Sequence, residues 1–189
     1  MKRVVFVTSN DFKFKHAAHM TEPTGIVLVR EHMDLDELQS TSGEEITRHK
    51  AEQAYSKFQQ PLVVNDDTWF IPGLNGFPGA YMKHINEWFT TEDWLNLTSP
   101  LKDRRIILQQ HIVYQDEHGQ HYFAEQIEGL LLTEARGAHH HSHLAITSFD
   151  GGTYSGAERV DKEIPAIDSS IPTAWHKFSD WLMKGGTDG

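Results

Sequence analysis

The sequence predicts an α/β protein built on a mixed central β-sheet flanked by helices, in one domain. Three observations carry this. Short β-branched runs at residues 3–8, 25–30 and 62–65 alternate with stretches of helical spacing, the pattern of strands joined by crossover helices. Two longer strand-rich segments, 105–115 and 121–134, follow one another across a short polar break (DEHGQ); a hairpin there makes the sheet mixed and not purely parallel. A length of 189 residues suits one domain over 1–189, and no linker interrupts it.

The elements justify themselves in order. RVVFVT, residues 3–8, is too short for a helix and reads as a buried strand. It breaks at Ser9 and Asn10, both good N-caps, before a helix on which Phe14, Ala17 and Ala18 share a face. Such a turn aims backbone N–H groups and a positive dipole end at one point, a natural seat for phosphate, and Lys13 adds a charge in the first turn. The same two residues also fit plain caps. No glycine-rich phosphate loop is present. GIVLVR, residues 25–30, is a second strand, followed by an acidic connector that carries Glu37. Ser42 and Glu45 have capping-box spacing for a helix over about 43–59, with Ala51, Ala54, Tyr55 and Phe58 as its buried stripe. Lys50 lies at the edge of that stripe, where a lysine commonly packs its stem and keeps its head in water.

The strand at 62–65 stops on Asp66 and Asp67, and a loop with Pro72, Gly73, Gly76, Pro78 and Gly79 follows. Open α/β sheets bind ligands at the C-terminal edge of their strands. Adjacent carboxylates repel and retain protons unless a cation or donor settles them; taken alone, the pair reads first as a solvated turn. Beyond it, an aromatic-rich helical region at 86–97 ends at Pro100. Gly129 marks a bulge or bend in the second long strand, and 148–158 is glycine-rich and irregular. A last helix starts near Pro172, after Ser169 and Ser170, with Trp175, Phe178, Trp181 and Leu182 as its packing face.

Composition narrows the function. With 27 acidic and 17 basic residues the net charge is −10, which argues against broad binding of nucleic-acid polymers. A small phosphorylated ligand remains open, because a few lysines and a divalent cation reverse the sign locally. The chain has no cysteine, hence no disulfide framework and no thiolate chemistry. No run is long enough to span a membrane, and the N-terminal apolar run is too short for a signal peptide; the expectation is a soluble, cytoplasmic protein. Four of the 13 histidines crowd into 139–143. An internal run of this kind binds transition metals adventitiously, whereas a dedicated site needs preset geometry.

In this order the motifs resemble the inosine triphosphate pyrophosphatase (Ham1-like) family, over most of the chain. VTSNDFK, with Thr8, Ser9, Asn10 and Lys13, is similar to the family's T-G-N-x-x-K triphosphate loop, with Ser9 in place of glycine. Glu37 stands where the family keeps an acidic magnesium ligand, and Lys50 where it keeps a substrate lysine. NDDT resembles its acidic pair followed by Ser/Thr. FPGAYMK resembles its proline-glycine loop, whose lysine is here Lys83. The C-terminal half departs: only Phe149-Asp150-Gly151 is kept of the purine-binding stretch, and the closing S-H-R is replaced by Trp175-His176-Lys177.

The resemblance implies an elongated mixed central β-sheet flanked by helices, in two lobes with a cleft between them, and a hydrolase that converts non-canonical purine nucleoside triphosphates to the monophosphate and pyrophosphate with Mg²⁺, as a possible homodimer. It implies Asp67 as metal ligand and general base, Asp66 in support, and Glu37 as a further metal ligand. Thr8, Ser9, Asn10, Lys13, Lys50, Thr68 and Lys83 would bind substrate, and Phe149, His176 and Lys177 would face the base. The altered base-reading segment also motivates an alternative, a diverged protein that binds a nucleotide or other phosphorylated ligand without turnover. A histidine-rich metal-binding protein ranks third.

Overall fold

The structure, a computed structural model, describes residues 2–36, 38–138, 141–165 and 167–186. The N-terminal third alternates strand and helix: β1 (Lys2–Val7), α1 (Asp11–Thr21), β2 (Ile26–Glu31), α2 (Gly43–Phe58) and β3 (Leu62–Phe70). β1 pairs in parallel with β2 from Lys2 to Val7, but with β3 only at Val5 and Phe6 among the described pairs. Then come β4 (Pro78–Gly79), α3 (Met82–Trp88), α4 (Thr91–Thr98), β5 (Arg105–Asp116), β6 (Gly119–Leu131), β7 (Thr147–Ser148), α5 (Gly156–Asp161) and α6 (Ala174–Met183). The strands form one seven-stranded sheet in the order β2-β1-β3-β5-β6-β7, with β4 antiparallel to β3. The sheet is mixed, as the paired long segments require. Only Glu117 and His118 separate β5 from β6, a connection short enough to enforce antiparallel pairing.

Several boundaries differ from expectation, each for a local reason. β3 does not stop at the acids; it runs through Asp66 and Asp67 to Phe70, because Trp69 and Phe70 pair with β4. The aromatic region is two helices, since Thr90 and Asp93 build a capping box that restarts the chain as α4. The glycine-rich stretch contains α5, opened by a second box between Ser155 and Glu158. α6 begins at Ala174 with Thr173 as its cap, leaving Ser169, Ser170 and Pro172 outside it. Gly129 lies within continuous β6, and its missing side chain makes room for Phe149: a Cβ there would sit 2.8 Å from the Phe149 ring and from the Ser148 carbonyl.

The chain divides into two compact units, Met1–Asp67 with Gln110–Glu125 and Pro172–Gly189, and Thr68–Gln109 with Gln126–Ile171. In the first, Val7, Ala51, Ala54, Leu62, Val64 and Val113 form a closed core, and Trp175 of α6 packs edge-on against Phe6 of β1 at 5.1 Å between ring centroids. In the second, Ile71, Met82, Trp94, Ile106, Leu131 and Ile146 are buried together. Burying a side chain of this size is worth roughly 1.5–3 kcal/mol. No helix among the described residues is long and apolar enough to cross a membrane.

Candidate active site

Because β1 ends at Val7 while β3 continues past it in the parallel direction, the turn after β1 and the acids of β3 come level. In that turn Thr8 Oγ1 accepts the Asn10 N–H at 3.1 Å, and Asn10 Oδ1 caps α1 by accepting the Lys13 N–H at 3.0 Å. Two N–H groups expected to stand open are therefore used within the turn. What the turn delivers is Lys13, whose Nζ lies 3.4 Å from Asp66 Oδ1 and 3.2 Å from Asp67 Oδ2. Neighbours in a strand point to opposite faces, yet one ammonium reaches both carboxylates. The Asp66 side chain folds back along the backbone, Oδ1 accepting the Asp67 N–H at 2.9 Å. Its other oxygen, Oδ2, accepts from Lys50 Nζ at 2.7 Å. Lys50 thus turns its head inward to an acid, where snorkelling would have put it in water.

The electrostatics follow from this packing. Burial alone would raise the Asp66 carboxyl; the charges of Lys13 and Lys50, the Lys50 hydrogen bond and the Asp67 N–H outweigh it and hold the group at about 2. For Lys13, burial opposes the ammonium, but Asp67 and Asp66 reverse the balance and raise its pKa. Asp67 is pinned from the other side by Asn65, whose Nδ2 lies 3.3 Å from Asp67 Oδ1 and 3.1 Å from the His111 carbonyl oxygen.

The remaining residues fall elsewhere. Glu37 lies outside the described residues, as do His139 and His140. Among the described residues no group of three or more His, Cys, Asp or Glu could hold a metal ion. Ser9 is exposed at the turn. Thr68, Lys83 and Phe149 belong to the second unit: Thr68 is buried, Lys83 is exposed on α3, and Phe149 lies 5.9 Å from Trp69 between ring centroids. The turn after Phe149 is fixed by Asp150, which accepts from Arg159 Nη1 at 2.7 Å and from the Tyr154 N–H at 3.0 Å. His143 is a packed core residue, its Nδ1 2.9 Å from Asn86 Oδ1 and its ring 4.8 Å from Trp69. His176 accepts the Thr173 N–H on Nδ1 at 3.1 Å and so caps α6. Lys177 donates to the Ala124 carbonyl at 2.8 Å and pairs with Glu125 at 3.0 Å.

Asn65, His16, Gln110 and His111 went unseen in the sequence. Asn65 alone carried a signal, its place beside the acids. The other three matter through partners far along the chain. His111 holds Tyr122 Oη at 2.6 Å and packs against Gly43, where a Cβ would stand 2.2 Å from its Nε2.

A family model described as the Ham1 family matches residues 4–156, which include every member of this lysine–carboxylate cluster. The chain belongs to the Ham1 family. A dITP/XTP pyrophosphatase from Methanosarcina mazei is 30% identical to this Ham1 chain over 187 residues, covering 98% of it and 100% of the relative. One from Thermococcus kodakarensis is 28% identical over 96% of the chain and 98% of its own length. The same fold occurs in a HAM1 protein from Coxiella burnetii, with a TM-score of 0.74 at 19% identity over 98% of this chain and 100% of that one. It occurs also in the Staphylococcus aureus Ham1 protein, with a TM-score of 0.72 at 18% identity over 97% and 99%. The family match ends before α6, which carries Trp175-His176-Lys177.

Proposed function

We propose that this Ham1-family chain is a nucleoside triphosphate pyrophosphatase, hydrolysing non-canonical purine nucleoside triphosphates between the α- and β-phosphates to the monophosphate and pyrophosphate. The supporting observation is the cluster itself: two lysines and two carboxylates joined by contacts of 2.7–3.4 Å at the mouth of the β1–α1 turn. Relatives named for dITP and XTP match along almost the whole chain.

Asp66 and Asp67 offer the hard oxygen donors that Mg²⁺ takes, usually one or two carboxylates with phosphates and waters completing its shell; Glu37 is the third acid the resemblance supplies. The bound ion would offset phosphate charge and acidify a water. The chain's own residues do the rest. Lys13 and Lys50 exchange carboxylate oxygens for phosphate oxygens, with Thr8, Ser9 and Asn10 shaping the turn beside them; Thr68 and Lys83 of the second unit are the further substrate contacts that the resemblance assigns. Asp66 stays ionised throughout, and Asp67, held by Asn65, accepts the proton of the attacking water. Phe149 is the residue that the resemblance assigns to the base. His176 and Lys177 face its carbonyl edge, which asks Lys177 to leave Glu125 and His176 to use Nε2.

The test is pyrophosphate release from ITP, dITP, XTP, ATP and GTP with Mg²⁺. Turnover of the first three well above the last two supports the reading. Tight binding without release from any of them would establish a nucleotide-binding protein instead.

A further inference from the structure

His16 follows Lys13 by three residues on α1, so the two side chains lie on one face of the helix. Its Nδ1 is shut off from solvent and has no hydrogen-bond partner among the described residues. The other ring nitrogen, Nε2, lies 3.2 Å from Gln110 Nε2. Gln110 is not free to turn over: its Oε1 accepts the Ala174 N–H at 3.3 Å, so its Nε2 is the donor amide nitrogen. His16 Nε2 is therefore the acceptor, and the proton of the neutral ring sits on Nδ1. Burial keeps the ring neutral, and among the charges around it Asp67 has the largest influence, ahead of His19 and His176. A sequestered N–H without an acceptor is costly. This one stands on the Lys13 face of α1 in the field of Asp67.

We infer that His16 is a further ligand-binding residue of this site, its Nδ1–H donating to an oxygen of the bound polyphosphate. A protonated nitrogen rejects a cation and takes an oxygen acceptor, so the contact is to a ligand oxygen and not to a metal. The inference rests on the pyrophosphatase reading and names one more contact within it. Gln110 and Ala174 are then positioning groups that fix the tautomer.

Two variants separate this role from a structural one. Asn at position 16 places an amide donor where Nδ1 sits, whereas Gln places its amide where Nε2 meets Gln110. The probe is inorganic pyrophosphate with Mg²⁺, its Kd measured by calorimetry on the full chain, with thermal unfolding as the folding control. The expected result is His16→Asn within about threefold of wild type, and His16→Gln and His16→Ala weaker by roughly ten- to a hundredfold, the worth of one hydrogen bond to a charged acceptor. The affinity for Mn²⁺ alone should be unchanged in all three. The opposite order, with Gln near wild type and Asn weak, assigns His16 to packing and overturns the inference. So does a wild-type chain that does not bind pyrophosphate, or a loss of Mn²⁺ affinity. Pyrophosphate binding with the expected order but no nucleotide turnover would sink the pyrophosphatase reading and leave the His16 contact standing.

Discussion

At the scale of single residues, the site turns on what happens when one member of the cluster changes. Asp67→Asn keeps shape and the Asn65 contact but cannot accept a proton, so turnover should fall at least about a hundredfold, the usual worth of a general base. Thermal unfolding should stay within a few degrees, and near-normal pyrophosphate release would remove Asp67 from the chemistry. Asp66 answers differently, through stability. Its folded value of about 2 lies below the ordinary 3.8. It therefore stabilises the fold above pH 3.8, and that contribution disappears as pH falls through about 2. The shift corresponds to about 2 kcal/mol. In urea unfolding of metal-free protein, Asp66→Asn should erase about that much of the wild-type loss between pH 5 and pH 2. Parallel curves for the two proteins would mean that the lysines do little for Asp66.

At the scale of elements, the site depends on how α2 meets β5. The backbone of Gly43 is ordinary helix, so the cost of a side chain there is steric alone: the new Cβ would lie 2.2 Å from the buried His111 ring. Gly43→Ala should destabilise the fold by about 1–3 kcal/mol. Because the His111 carbonyl also anchors Asn65, the same change should lower kcat. Unaltered urea curves and kcat would show that the ring moves aside without consequence. Likewise Ser155→Ala, which removes the cap of α5, should cost about 1 kcal/mol by the same assay. The Ser155–Glu158 spacing was readable in the sequence, yet the glycines around it masked the helix. Local signals did place β1, α1, α2 and the long hairpin, since caps and periodicity act within a few residues. They failed for β3 beyond Asp67, whose extension depends on β4, and for the start of α6, where Thr173 outcompeted two serines. The tautomer of His16 was invisible for a stronger reason: it is fixed by Gln110, brought alongside only by folding.

At the scale of the whole molecule, charge and local chemistry part company. The chain carries a net −10, which argues against broad binding of nucleic-acid polymers but says nothing about a small anion, and the family match covers the N-terminal motifs while leaving α6 outside. The lysine clamp has a kinetic consequence. Lys13 and Lys50 cancel Asp66 and Asp67, so these four groups present no standing positive potential to draw a polyphosphate in from a distance. On the proposed pyrophosphatase reading, capture proceeds by short-range barter, each ammonium trading one oxyanion for another at contact. Stopped-flow association should accordingly vary less than about threefold between 50 and 300 mM salt at fixed Mg²⁺, the range over which a steered encounter would slow sharply.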